Sequence, residues 1–164
     1  MIIVADTSPI NYLILIEQVD LLPRFYGQII VPPAVLQELQ PLEAPARVRS
    51  WTSRLPEWLE VRRPAGAPDP VLATMDLGER EAIALALELN AMYLIADDLV
   101  ARSEALRRRL KVVGTLGILR AAAQQHLIDF PSTLNRLLET SFRVDRNLIR
   151  SLLDEESARS RDSA

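Results

Sequence analysis

The sequence predicts an α/β protein in which a central, mostly parallel sheet is covered by helices on both faces. Three observations carry that reading. Short apolar runs of strand type recur at residues 2–5, 28–31, 91–96 and 112–113. A helical pattern follows each of them, and alternation of strand with helix is how chains build a parallel sheet between two helical layers. An acid also stands directly after two of the runs, Asp6 after the first and Asp97 after the third. The carboxyl ends of parallel strands face the crevice where open α/β sheets bind their ligands.

Taken in order, residues 2–5 read as a buried strand. Ser8 to Glu17 reads as a helix with apolar Ile10, Leu13 and Ile14, and Pro9 suits its first turn. A short helix or turn begins at Asp20, and 28–31 forms the second strand. Pro32-Pro33 punctuates the chain, after which Ala34 to Leu39 begins a helix bearing Glu38. Pro41 to Ala73 is the least regular stretch. It holds Trp51 and Trp58, a helix over about 46–53, a strand near 59–61 and a surface loop at Pro64 to Pro68. Asp76 to Leu89 is apolar nearly all round and is expected as a buried helix. The strand at 91–96, a basic helix from Leu99 to Leu110 and a strand at 112–113 come next. Gly114-Thr115-Leu116-Gly117 opens a helix that runs to about His126. Helices near 132–140 and 145–154 complete one domain over 1–154, and the polar residues 155–164 are expected to fray as a flexible tail.

Composition narrows the chemistry. A chain of 164 residues that is 49% hydrophobic can bury a real core. It has no Cys, which removes disulfides, thiolate metal sites and a Cys nucleophile, and its one His, His126, forms no zinc cluster. No apolar run approaches the roughly 20 residues of a membrane span. No basic region precedes the first apolar run, so no signal peptide is expected and the cytoplasm is the expected location. A net charge of −3 argues against a simple basic nucleic-acid-binding module. Positive charge is nonetheless gathered at Arg102, Arg107, Arg108, Arg109 and Lys111. Successive helical residues point in different directions, so only some of these share a face. A solvated helix and a set of RNA-phosphate contacts by Arg102, Arg107 and Arg108 both remain open.

Each acid has an ordinary reading on its own. Asp6 could cap the helix near Pro9, and Glu38 could be a solvated helix residue. Asp76-Leu77-Gly78-Glu79 matches a capping box, and Asp97 or Asp98 could cap the helix from Leu99. Together they are more specific, because a right-handed β-α-β layout can bring Asp6, Glu38, Glu79 and Asp97 to one edge of the sheet. Carboxylates meeting there repel unless a divalent cation joins them, which is the arrangement for metal-assisted phosphodiester hydrolysis.

The segments Val4-Ala5-Asp6-Thr7-Ser8-Pro9, residues 31–39, Leu77-Gly78-Glu79-Arg80-Glu81-Ala82, Leu94-Ile95-Ala96-Asp97-Asp98 and Gly114-Thr115-Leu116-Gly117 resemble a PIN domain over nearly the whole chain. The resemblance is strongest to a prokaryotic group related to the ribonuclease toxins of toxin–antitoxin pairs. It implies a three-layer α/β/α PIN-like fold and a Mg²⁺- or Mn²⁺-dependent ribonuclease site of Asp6, Glu38, Glu79 and Asp97, with Asp98 as a further metal ligand. Glu79 stands where the toxins commonly carry Asp. Thr7 or Ser8 would touch a metal-bound water or a phosphate oxygen, and Thr115 would line the same pocket. RNA, a cognate antitoxin and a second copy in a homodimer are the implied partners.

Two other classes compete. A non-catalytic PIN-like binding module would keep the fold without the chemistry, and the retained acids argue against it. A phosphotransfer domain also places Asp after its first strand. The receiver type needs an acidic pair there and a later strand-end Lys, whereas the only Lys is Lys111; the dehalogenase type needs a second Asp where Ser8 stands. No P-loop, dinucleotide fingerprint or Ser/His/Asp triad is present.

Overall fold

The computed structural model describes residues 1–67 and 69–162. Pro68, one end of the loop expected at Pro64 to Pro68, lies outside the described residues, as do Ser163 and Ala164 at the end of the expected tail. Contacts within the chain divide it into two compact units, the first Met1–Ile118 and the second beginning at Leu119.

The first unit is built on a five-stranded parallel sheet: β1 (Ile3–Ala5), β2 (Ile29–Val31), β3 (Leu59–Val61), β4 (Tyr93–Ile95) and β5 (Val112–Val113), in the order β3-β2-β1-β4-β5. Val4 pairs with Ile30 on one side and Leu94 on the other, so β1 is the central strand. All three of its residues are buried, which is why it reads as an unbroken apolar run. Helices α1 (Thr7–Leu15) and α2 (Leu21–Tyr26) link β1 to β2, and α3 (Pro33–Leu39) and α4 (Ala46–Thr52) link β2 to β3. A 3-10 turn at Pro70–Leu72 and helix α5 (Leu77–Glu88) lead into β4, and α6 (Leu99–Arg107) joins β4 to β5.

Successive side chains on a strand point to opposite faces, and the core follows that rule. Val4, Ile30, Leu94 and Ala96 pack with Ala82, Ile83, Leu85 and Ala86 of α5 and with Ala101 and Ala105 of α6. Ile3, Ala5, Ile29, Val31 and Ile95 alternate with them and are equally buried on the other face, the side on which right-handed crossovers place the helices linking β1, β2 and β3. Helix α6 is shorter than the predicted 99–110. Its C-cap is Arg108, and Arg109 takes a left-handed φ of 64°, a conformation that L-residues adopt singly and that ends a helix. This turn returns the chain into β5.

The division between the units falls within α7 (Thr115–Gln124). The second unit contains α8 (Phe130–Leu138) and α9 (Arg146–Asp162). Asp129 caps α8 by accepting from the Ser132 N–H at 3.0 Å, and Phe130, Leu134 and Leu137 line one buried stripe. The expected tail is corrected here: residues 155–162 continue α9 as helix. Glu156 pairs with Arg159 at the i,i+3 spacing that supports a helical turn, and Glu155 pairs with Arg120.

Candidate active site

The sheet order creates a switch point. From β1 the chain moves towards β2, and from β4 it moves the other way towards β5. Connections leaving neighbouring strands in opposite directions open a crevice at their carboxyl ends. Asp6 and Asp97 both sit there, and the Asp6 N–H donates to the Ile95 carbonyl at 2.9 Å, which fixes the two strand ends together.

Asp6 occupies the N-cap position of α1 in extended backbone, yet its side chain makes no capping bond. It is 2% exposed. Its Oδ1 has no hydrogen-bond partner among the described residues. Burial is the main reason its pKa is raised from 3.8 to about 7; the Thr7 amide works the other way, and the charges of Glu79, Glu38 and Asp97 push it further up. Capping therefore does not explain Asp6. It is a buried carboxyl ringed by three other acids, and such groups cluster at functional sites.

Glu79 reaches the crevice from the first turn of α5. Its Oε2 accepts the Asp76 N–H at 3.2 Å and completes a capping box, so the capping and site readings hold together. Burial first, then the neighbouring charge of Asp98, raise its pKa to about 7. Glu38, on α3, bridges two other elements. One carboxylate oxygen accepts from Thr7 Oγ1, and the other accepts the Gly78 N–H at 2.8 Å.

Asp97 and Asp98 divide their labour. Asp98 caps α6, its Oδ1 accepting from Val100 at 2.8 Å and Ala101 at 2.9 Å. Asp97 turns to Thr115, accepting its N–H at 2.7 Å and its Oγ1 at 2.6 Å. Burial raises the Asp97 pKa, while Thr115 and the Arg102 guanidinium oppose that rise.

The other expected contacts fall differently. Thr115 is fully buried, so it does not line an open pocket; it holds Asp97 in place. Ser8 is half-buried beside Thr7. Arg102 is part-buried and donates to the Ala96 carbonyl at 2.9 Å. Arg107 is exposed and pairs with Glu104 at 3.1 Å, whereas Arg108 is tied to Asp69 at 3.0 Å and Glu104 at 2.8 Å. Sequence patterns missed Gly78 and Gly114, because a glycine's role here depends on which side chain presses against it. A Cβ on Gly114 would lie 2.8 Å from both Asp97 Oδ1 and Arg102 Nη1.

The donor set suits a hard divalent cation, since it offers carboxylate oxygens only. Asp6 Oδ1 is buried without a protein partner, and the charge of every surrounding acid adds to its own. Among the described residues no three acidic or histidine side chains are gathered tightly enough to hold an ion by themselves.

A family model described as a PIN domain, DUF3368, matches residues 2–158. The chain belongs to the PIN-domain family. Its nuclease-type fold agrees with the crevice of acids at the switch point. Among solved structures, a PilT N-terminus domain protein from the hyperthermophilic archaeon Sulfolobus solfataricus is similar at a TM-score of 0.50 and 16% identity, covering 88% of this chain and 100% of that one. At that identity the likeness concerns the fold. No curated protein matches the sequence. Among the described residues no helix is long and apolar enough to cross a membrane.

Proposed function

We propose that this PIN-domain protein is a Mg²⁺- or Mn²⁺-dependent endoribonuclease, the toxin half of a toxin–antitoxin pair. The observation that carries the reading is Asp6: a buried carboxyl with an unpartnered oxygen, its pKa pushed up to about 7 by burial and by Glu79, Glu38 and Asp97. Such a group is costly unless a cation uses it. Asp6 and Glu79 would hold the metal directly, with Glu38, Asp97 and Asp98 completing the negative field around it. When bound, the ion activates a water and stabilises the leaving oxygen of a phosphodiester.

The chain's own residues supply the rest. Asp6 and Glu79, each near pH 7 in its titration, release protons as a cation arrives, so binding strengthens as pH rises through neutrality. Thr115 fixes the Asp97 carboxylate by donating to both of its oxygens. In this reading Arg102, Arg107 and Ser8 would contact phosphate oxygens of single-stranded RNA. Arg108 would have to leave Asp69 and Glu104 to join them. The antitoxin and a homodimer partner belong to the same proposal.

The deciding experiment is cleavage of single-stranded RNA by purified protein, with Mg²⁺ or Mn²⁺ and with EDTA, for wild type and Asp6→Asn. Cleavage is expected only with metal and only for wild type. Cleavage that survives excess EDTA would refute the metal mechanism, and equal cleavage by both proteins would remove Asp6 from the site.

A further inference from the structure

We propose that Gly78 is a positioning residue of the acidic crevice, seating Glu38 through its N–H and through the absence of a side chain. This rests on the metal-dependent reading above, and it concerns a residue that carries no charge.

The Gly78 N–H is among the first amides of α5, which have no partner within the helix. It donates to Glu38 Oε1 at 2.8 Å, while Glu38 Oε2 accepts from Thr7 Oγ1. The carboxylate is thereby pinned between the starts of α1 and α5, at the positive end of the α5 dipole. Each of its oxygens has a further lone pair for a water or an ion. Neither donor consumes the group; together they fix where it points.

The space at Gly78 is equally specific. A Cβ there would lie 2.9 Å from Glu38 Cδ and from Oε1, and closer still to Oε2. Real Cβ contacts essentially never come so near. The atoms in the way belong to the end of a flexible side chain and not to backbone, so the fold can accept alanine while Glu38 cannot keep its seat. Alanine is also the better helix former at this position. The substitution therefore separates site geometry from folding. Displacing Glu38 also releases Thr7, the residue that follows Asp6.

The test is Mn²⁺ binding by calorimetry on wild type, Gly78→Ala, Glu38→Asp and the double variant, with circular dichroism to confirm the fold. Gly78→Ala is expected to bind Mn²⁺ about tenfold or more weakly, the scale of disturbing an outer-shell partner of a metal site. Glu38→Asp withdraws the carboxylate by one methylene and makes room for the alanine methyl. The double variant is therefore expected to bind as well as Glu38→Asp alone, so the two losses do not add. A merely structural glycine would give additive losses. Wild-type affinity in Gly78→Ala, or full additivity in the double variant, overturns the proposal.

A metal-free readout keeps this distinct from the functional reading. In EDTA the Gly78 amide proton should resonate downfield, as expected for donation to a carboxylate, and move upfield in Glu38→Ala. If wild type binds no Mn²⁺ but this shift is seen, the metal reading fails and the seat stands. If the resonance ignores Glu38→Ala, the seat itself is wrong.

Discussion

Replacing Asp6 by Asn should make the metal-free protein more stable at pH 8 and give no such gain at pH 4. The native carboxyl titrates at about 7 against 3.8 in an unfolded chain. Between these values the folded state binds more protons than the unfolded state, so stability falls as pH rises through that window and levels off above it. At about 1.4 kcal/mol for each pH unit of separation, the cost of the charged form reaches about 4 kcal/mol at pH 8. Asn removes that cost, but its amide inherits a position where Oδ1 has no partner. An unsatisfied buried polar group costs about 1–3 kcal/mol. The net gain is then about 2 kcal/mol, which for a chain of this size raises the melting temperature by roughly 4–8 °C. At pH 4 wild-type Asp6 is itself protonated and the advantage disappears. The assay is thermal unfolding in EDTA at both pH values, repeated at pH 8 with Mn²⁺. Metal at about a hundred times its dissociation constant should stabilise wild type by about 2.7 kcal/mol and leave Asp6→Asn nearly unmoved. The reasoning is refuted if Asp6→Asn melts no higher than wild type at pH 8, or if its advantage is the same at pH 4.

Other outcomes follow from the same geometry. Thr115→Val keeps the shape of a fully buried side chain but removes the donor to Asp97 Oδ2; it should cost about 1–3 kcal/mol at pH 8, and an unchanged denaturant midpoint would count against that. Arg107→Gln should flatten the salt dependence of RNA binding by about 0.7 if its one phosphate contact is real; an unchanged slope assigns Arg107 to the solvated face. Arg108→Gln breaks its links to Asp69 and Glu104, so it should lower the melting temperature more than Arg107→Gln does. Light scattering at micromolar concentration should show a species near twice 18.4 kDa; the monomer mass alone at every concentration rejects the homodimer.

What was legible in the sequence is what local pattern controls. The strand runs, the acids that end them and the α5 capping signature depend on neighbours along the chain, and Asp6, Glu38, Glu79 and Asp97 fall around one crevice as the β-α-β layout implies. What escaped depends on distant partners. Arg108 looked like a free cation until Asp69 was placed beside it from 39 positions away. Thr115 looked like a pocket residue, but it is fully buried and donates twice to Asp97. The polar stretch 155–162 has the composition of a tail, yet it continues α9, and its Glu155 pairs with Arg120, a partner no short window contains. Glu38 read as a simple ligand, because nothing local reveals that Thr7 and Gly78 both hold it.

The central place of β1 has a consequence for synthesis. Ile3 pairs with Tyr93, 90 positions later, and the Asp6 N–H finds its acceptor only at Ile95. A chain growing from its amino end can lay β1 against β2 early, but the other edge of β1 stays open until β4 emerges. Such long-range pairing is slow and leaves apolar edges exposed meanwhile. Asp97 arrives with the same segment that closes the sheet. The nascent chain therefore carries an incomplete crevice until Asp97 has been made, and the acids meet only when the strand that protects the central edge is in place.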